Sequence, residues 1–328
     1  MEKSIIIFLT GICIASTLAV PLHLVATPAK ARLPLGAYGT SAVFDGTDSI
    51  YIIGGDSTEG RLKSVLKYSI STDEISHAAI LPHGAYYGTA TQTKGGDIFY
   101  HGASILDTPS TEIYKFVPST SSVTKVGDLP EENFMSAAVQ DGDDNIYFLG
   151  GSLAKNAIVS FNTVNSSVDQ VYRLPISYDY IAALSDNFGS VFIFGDRLDG
   201  SETTEFSSTV KLNFTTFEVI IGSETLPKFT APPAAVWDAE GKKAYIIGGY
   251  GNEKDGHYSD TIVRFDPETM THELVHVDGF PVMGEWTFDS TSAVFVGGLN
   301  RIYFFGGYSS DGEGQEGKVH DNIWYIDV

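Results

Sequence analysis

The sequence predicts an all-β fold built from six copies of one unit. Six short runs carry the pattern: Tyr51-Ile52-Ile53-Gly54-Gly55, Phe99-Tyr100-His101-Gly102-Ala103, Tyr147-Phe148-Leu149-Gly150-Gly151, Phe192-Ile193-Phe194-Gly195-Asp196, Tyr245-Ile246-Ile247-Gly248-Gly249 and Tyr303-Phe304-Phe305-Gly306-Gly307. Each is a bulky β-forming stretch that stops at glycine. Their first glycines lie 48, 48, 45, 53 and 58 residues apart, the near-constant period of a repeat architecture. After residue 30 no segment keeps a helical period, while 34 Gly, 20 Phe and 17 Tyr give the composition of short strands and tight turns. A radial array of 328 residues reads as one domain.

The elements of a unit follow in order. A strand of alternating small residues comes first (Gly39 to Phe44, Ser136 to Gln140, Pro233 to Asp238), small because the innermost strand has least space. A polar turn leads to the strand that ends in glycine, whose missing Cβ suits the point where neighbouring units crowd together. After a variable loop, a third strand is marked by a bulky residue: Tyr68, Phe116, Phe161, Leu212, Phe265 and Ile326. An outer strand then closes at Pro82, Pro130, Pro175, Pro227 and Pro281, because proline cannot donate to a ladder. Six such four-stranded meanders arranged radially make a six-bladed β-propeller.

The double glycine after three hydrophobics, the bulky column about 14 residues later, the Asp-Pro of Phe265-Asp266-Pro267-Glu268-Thr269 and the Leu-Pro exit resemble kelch repeats over residues 27 to 328. The resemblance implies a kelch-like propeller. Where kelch units usually carry an outer-strand tryptophan, this chain has Ile75, Val123, Val168, Val219 and His272. All but the last are apolar β-formers, so the packing role is kept.

The sixth unit ends at Val328 after its third strand. Thr27 to Pro34 repeats the seven-residue step to Leu-Pro made from Ile75, Val123 and Val168, so the N-terminal segment is expected to supply the missing outer strand and close the ring. Residues 1–19 read as a secretory signal: Met1-Glu2-Lys3, the apolar run Ile5 to Ile14, then small residues to Ala19. An uncleaved anchor is the alternative, against which Pro21 and His23 interrupt a spanning helix. Cleavage near Ala19 preserves the closing strand, whereas cleavage after Ala31 would destroy it. The only cysteine, Cys13, lies in this leader, so the mature domain must hold by packing alone, without disulfides.

A net charge of −21 repels phosphate backbones and anionic lipid, which argues against nucleic-acid and membrane partners. The sequons Asn165-Ser166-Ser167 and Asn213-Phe214-Thr215 fit a secretory route, and both should fall just after a third strand, in solvent. A secreted monomer is expected.

Several motifs suggest chemistry that their setting does not support. His272-Glu273-Leu274-Val275-His276 matches H-E-x-x-H, but that zinc site needs a helix; on the outer strand expected here the histidines stand about 13 Å apart. Gly312 to Gly317 matches G-x-G-x-x-G without the strand-to-helix setting of a dinucleotide site. Asp141-Gly142-Asp143-Asp144-Asn145 begins like a calcium loop, yet Ile146 stands at the obligatory glycine and Ser152 at the bidentate Glu, so a polar hairpin turn is expected. The acidic stretches Glu253 to Asp260 and Asp311 to Asp321 read as solvated loops. No G-x-S-x-G occurs. Galactose oxidase is similar in fold class, but its cofactor requires a cysteine that the mature chain lacks. No catalytic residue, metal or cofactor is expected.

The informative concentration lies in the connectors from each outer strand to the next inner strand: Tyr38, Tyr86, Tyr87, Phe134, Tyr178, Tyr180, Phe229 and Trp286. They read as a recognition surface on one face, since tyrosine and tryptophan combine contact area with a polar handle. The alternative is that they seal the base of each blade. The expected function is a non-catalytic module binding an extracellular protein or glycan. A carbohydrate-active enzyme, epimerase- or glycosidase-like, is the alternative, and a carboxylate facing a basic residue across the aromatic face would mark it. Expression in a eukaryotic host should give glycans at Asn165 and Asn213; unchanged gel mobility after glycosidase treatment would count against both sequons and the secretory route.

Overall fold

The computed structural model describes residues 23–105, 108–142, 144–153, 155–175, 177–186, 189–198, 206–226, 233–248, 261–281, 288–289, 291–309 and 317–328. The signal, Phe229, Trp286, residues 253–260 and most of the G-x-G-x-x-G stretch lie outside them. Among the described residues the protein is all-β, with one 3-10 turn at Gly297–Leu299.

Antiparallel four-strand runs follow one another along the chain. Run one comprises Ser41–Phe44, Ser49–Ile53, Ser64–Ser69 and Glu74–Ile80. Run two comprises Thr89–Gln92, Ile98–His101, Thr108–Val117 and Ser122–Asn133. Run three is Ala137–Gln140, Asn145–Leu149, Ala157–Asn162 and Val168–Arg173. Run four is Ser177–Ser185, Ser190–Leu198, Phe206–Asn213 and Val219–Leu226. Run five is Ala234–Asp238, Lys243–Ile247, Thr261–Asp266 and Thr271–Asp278. Run six takes Ser292–Val296, Arg301–Phe305 and Asn322–Asp327, followed by the N-terminal strand β1, Leu24–Arg32. β1 pairs antiparallel with the third strand of run six and parallel with the fourth of run five, merging the two runs into one eight-stranded sheet.

The two residue columns meet directly across the ladder. Tyr68 opposes Ile75, Phe116 opposes Val123, Phe161 opposes Val168, Leu212 opposes Val219 and Phe265 opposes His272. Cross-strand pairs of this kind are the unit of sheet stabilisation. All six third-strand residues of the column are buried.

Apolar residues gather in six cores, each between consecutive runs. Tyr51 and Ile53 join Ile98 and Phe116 between runs one and two, while Ile50 and Ile52 turn the other way to join Tyr303 and Phe305 between runs six and one. The glycine-ended strands are therefore continuous apolar runs because both of their faces are covered. The first strands neighbour one another in the same sequence, and the first strand of run six lies beside that of run one.

The glycines act where the runs approach most closely. A Cβ on Gly54 would fall on the carbonyl oxygen of Ala85 in the connector to run two, and one on Gly306 on that of Ala37 in the connector to run one. Their φ values of 63° and 58° are also costly for any other residue. A further recurring residue was not recognised in the sequence. An aspartate closes the first hairpin of several runs: Asp45 Oδ1 accepts from the N–H groups of Thr47, Asp48 and Ser49, and Asp238 Oδ1 from those of Glu240 and Gly241.

Two expectations are corrected. β1 begins at Leu24 rather than at residue 27, and Ala26 opposes Ile326; the reason is burial, since Leu24 and Ala26 pack with Val275, Val277 and Phe304. The outer strand of run two passes through Pro130 instead of ending there. Its register shifts between Ser110 and Glu112, and Pro130 is exposed on the outer edge, where no donor is required.

β1 also donates its Lys30 and Ala31 N–H groups to the Asp73 carboxylate of run one, at 2.9 and 3.2 Å. A chain starting at Gly36 should therefore melt well below one starting at Val20 and should self-associate. The loss is several ladder bonds at about 1 kcal/mol each plus the burial of Leu24, Ala26 and Leu33, and an open edge invites strand pairing. Equal melting temperatures with a monomeric short form would contradict this role of β1.

Candidate ligand-binding face

Antiparallel meanders separate their loops onto two sides. On one side the turn after each third strand meets the turn after the first: Thr163 N donates to Asp144 O at 2.8 Å and Phe214 N to Gly189 O at 3.1 Å. On the other, the connectors between runs meet the segments after the glycine pairs, as when Gly55 N donates to Ala85 O and Gly307 N to Ala37 O, each at 2.8 Å.

The connector side holds a cluster of tyrosines. Tyr38 stands at its centre, its ring 6.4 Å from Tyr86, 6.2 Å from Tyr87 and 5.8 Å from Tyr308, with Tyr86 and Tyr87 4.7 Å apart. The separations suit edge-to-face and tilted aromatic pairs. Tyr38 and Asp56 exchange backbone hydrogen bonds of 3.0 and 2.8 Å, and the Tyr38 hydroxyl donates to the Asp56 carboxylate at 3.2 Å. Burial and this carboxylate push the Tyr38 hydroxyl up to about 12, so it remains a donor. The Arg61 guanidinium lies 4.3 Å from the centre of the Tyr86 ring, a cation–π contact.

Of the expected site residues, Tyr38, Tyr86 and Tyr87 are brought together and are half-buried. Phe134 is half-buried in the connector to run three, outside this cluster. Tyr178 is a correction: it is 1% exposed, lies in the first strand of run four and packs in the core between runs three and four, as the sealing alternative describes. The side chain of Tyr180 lies outside the described residues. Asp56, Arg61 and Tyr308 were missed. Asp56 and Tyr308 each follow a double glycine, which was the available signal; Arg61 joins only through its pairing with Asp56.

Beside the cluster, Gly39, Tyr87 and Met135 occupy equivalent places at the start of runs one, two and three. Their φ values are 60°, 55° and 57°, and Tyr87 N donates to Gly39 O while Met135 N donates to Tyr87 O. Glycine adopts this conformation freely, whereas tyrosine and methionine are strained there by about 1–3 kcal/mol each. All three line a cavity of about 260 Å³, together with residues from the first strands of all the runs.

The opposite side carries both sequons. Asn165 is exposed and its Oδ1 accepts from Ser167 N at 2.8 Å; Asn213 Oδ1 accepts from the N–H groups of Thr215 and Thr216, each at 2.9 Å. Neither Nδ2, the atom a glycan would join, takes part in these bonds. Phe214 and Phe217 of the second sequon turn stack on Tyr147 and Tyr172 of run three, at 4.2 and 4.9 Å.

The H-E-x-x-H stretch lies on the outer strand of run five. His272 Nε2 bonds Thr209 Oγ1 at 2.8 Å and its ring packs on Phe265, whereas exposed His276 reaches Asp278 at 2.9 Å. Among the described residues no group of three or more His, Cys, Asp or Glu is placed to hold a metal, and no helix is long and apolar enough to cross a membrane. The calcium-like stretch is the first hairpin turn of run three, with Asp143 outside the described residues. Compared with known proteins, the chain matches no family model and no curated protein.

His101 holds the place that Ile53, Leu149 and Phe305 take in other runs. It is wholly buried, 3.5 Å from the Phe148 ring centre, and among the described residues neither ring nitrogen has a hydrogen-bond partner. Burial drives its pKa down to about 3. The folded imidazole is therefore neutral while the unfolded one takes a proton below its ordinary 6.5, so stability is full above pH 6.5 and is lost as pH falls toward 3. Between pH 7 and 4.5 the loss should be about 2–3 kcal/mol, and His101→Leu should lack it. Equal declines in the urea midpoints of both proteins would contradict a buried neutral imidazole.

Proposed function

We propose that the chain is a secreted six-bladed kelch-like β-propeller, closed by its N-terminal strand, that acts without catalysis as a binding module for an extracellular protein or glycan. The propeller reading is supported by the sequence of first-strand neighbours that returns from run six to run one, by a core between every consecutive pair of runs, and by β1 as the fourth strand of run six. The kelch reading rests on its two columns meeting in register. The leader supports secretion, and the exposed sequon turns support glycosylation of the side opposite the tyrosines.

The observation that carries the binding reading is the cluster of Tyr38, Tyr86, Tyr87 and Tyr308. Aromatic groups with polar ends, concentrated on one face, are the side chains that dominate recognition. Among the described residues, Asp56 and Arg61 are the charged groups beside it, and they are cross-strand partners on one short hairpin, side by side rather than opposed across the face. That arrangement suits contact rather than acid–base chemistry, which needs both groups within reach of one substrate bond from suitable directions. The charge of −21 favours a partner with cationic patches.

The test is capture from the native extracellular fluid on immobilised protein, comparing wild type, Tyr86→Ala, Tyr38→Ala and, on the opposite side, Val164→Ala. A retained partner should fall at least about tenfold with the tyrosine variants, the loss expected for a hot spot, and should be unaffected by Val164→Ala. Equal capture by all four proteins would overturn the assignment of this face.

A further inference from the structure

We propose that the cavity bounded by the first strands is a binding site for one neutral sugar ring, either a free monosaccharide or the end of a glycan. The inference rests on the binding reading above, narrows it to a ligand class and adds a cavity that shares Tyr87 with the tyrosine cluster.

The lining determines the chemistry. Each first strand stands at the edge of its sheet and pairs on one side only, so its outward N–H and C=O groups have no ladder partner. One is satisfied locally, where Ala90 N donates to Ser41 Oγ at 2.8 Å. The cavity thus presents donors and acceptors together, interleaved with the small residues Ala42, Ala90 and Ala138, and among the described residues no Asp, Glu, Lys, Arg or His lines it. An ionised ligand would enter without a compensating charge, which is unfavourable. A ligand that offers hydroxyls in several directions and apolar C–H surface between them is matched. The volume of about 260 Å³ lies below the roughly 300–1,000 Å³ of clefts that take drug-sized molecules, a size suited to a single ring.

The mouth supplies the second observation. At the place where run one uses glycine, runs two and three put Tyr87 and Met135 in the same left-handed conformation, and both line the cavity. Tyr87 also packs against Tyr38 and Tyr86, while Gly39 makes the same connection without a side chain. The same backbone conformation recurs in hairpin turns, at Lys242 and Phe217 among others, so what distinguishes the mouth is the pair of large side chains it carries. An aromatic ring beside a sugar-sized space gives its C–H face a surface to stack on.

The test uses the glycosylated full-length secreted protein. Glucose, galactose, mannose and N-acetylglucosamine, with glucuronate as the charged control, are titrated by ligand-observed NMR, and glycans ending in the same sugars are immobilised to separate free from chain-terminal ligands. Wild type should give saturable one-site binding of at least one neutral sugar in either format, and none of glucuronate. Tyr87→Gly should fold, because Gly39 holds the equivalent conformation, and should bind at least about tenfold more weakly; Met135→Gly is the independent second variant. Absence of saturable neutral-sugar binding, meaning that solvent alone fills the cavity, would overturn the proposal, as would glucuronate binding equally well or both glycine variants binding unchanged. Tyr86 lies outside the cavity lining, so Tyr86-dependent capture of a partner by a protein that binds no sugar would sink this inference and leave the tyrosine face standing; sugar binding without Tyr86-dependent capture would do the reverse.

Discussion

The structure depends on one constraint: each run of strands is apolar on both faces and must be covered on both. A single sheet with one buried face could stop at two layers. Here Tyr51 and Ile53 point into one core while Ile50 and Ile52 point into the next, so every run needs a neighbour on each side. A linear stack would leave two terminal faces exposed. The six cores take the inward-facing apolar residues of neighbouring runs, and the core between runs six and one draws on Leu33 and Ala37 from the segment after β1. The chain ends and the core are therefore one problem with one solution.

That constraint explains which features were legible in the sequence. Continuous bulky runs stopping at glycine are what a strand covered on both faces requires, because a Cβ on Gly54 or Gly306 would collide with the neighbouring connector. The third-strand column was legible because each of its residues fills a core in every run. Even His272, which breaks the apolar column, keeps the position: its ring packs on Phe265 and its Nε2 finds Thr209.

The parts that were not legible depend on partners rather than on period. Tyr178 has the composition of a surface connector, but the strand of run four starts at Ser177 and carries the ring into a core. The start of β1 at Leu24 follows from a parallel pairing with Val277 and Asp278, a contact between chain segments more than 250 residues apart that no local pattern announces. Arg61 joins the tyrosine face only because a two-residue hairpin turns it back toward Asp56. The hairpin aspartates could have been read, since Asp45, Asp141 and Asp186 each follow a first strand and Asp238 ends one, but the role of Asp45, Asp186 and Asp238 becomes evident only from the backbone N–H groups that donate to them.

Both sides of the molecule carry non-glycine residues in the left-handed conformation, held there by different contacts. On the sequon side Lys242, Ser166 and Phe217 hold φ values of 51°, 59° and 54°, in turns fixed by the Asp238 carboxylate, by the bonds from Ser166 N to Asn162 O and from Phe217 N to Asn213 O, and by stacked rings such as Phe214 on Tyr147. On the connector side Tyr87 and Met135 hold a conformation that glycine would adopt at no cost, and the hydrogen bonds from Tyr87 to Gly39 and from Met135 to Tyr87 keep them there. Strain survives only where surrounding structure over-determines it, and here the surrounding structure is the set of packed runs. The cores stabilise the strained residues, and Tyr87 and Met135 border the cavity that the first strands line.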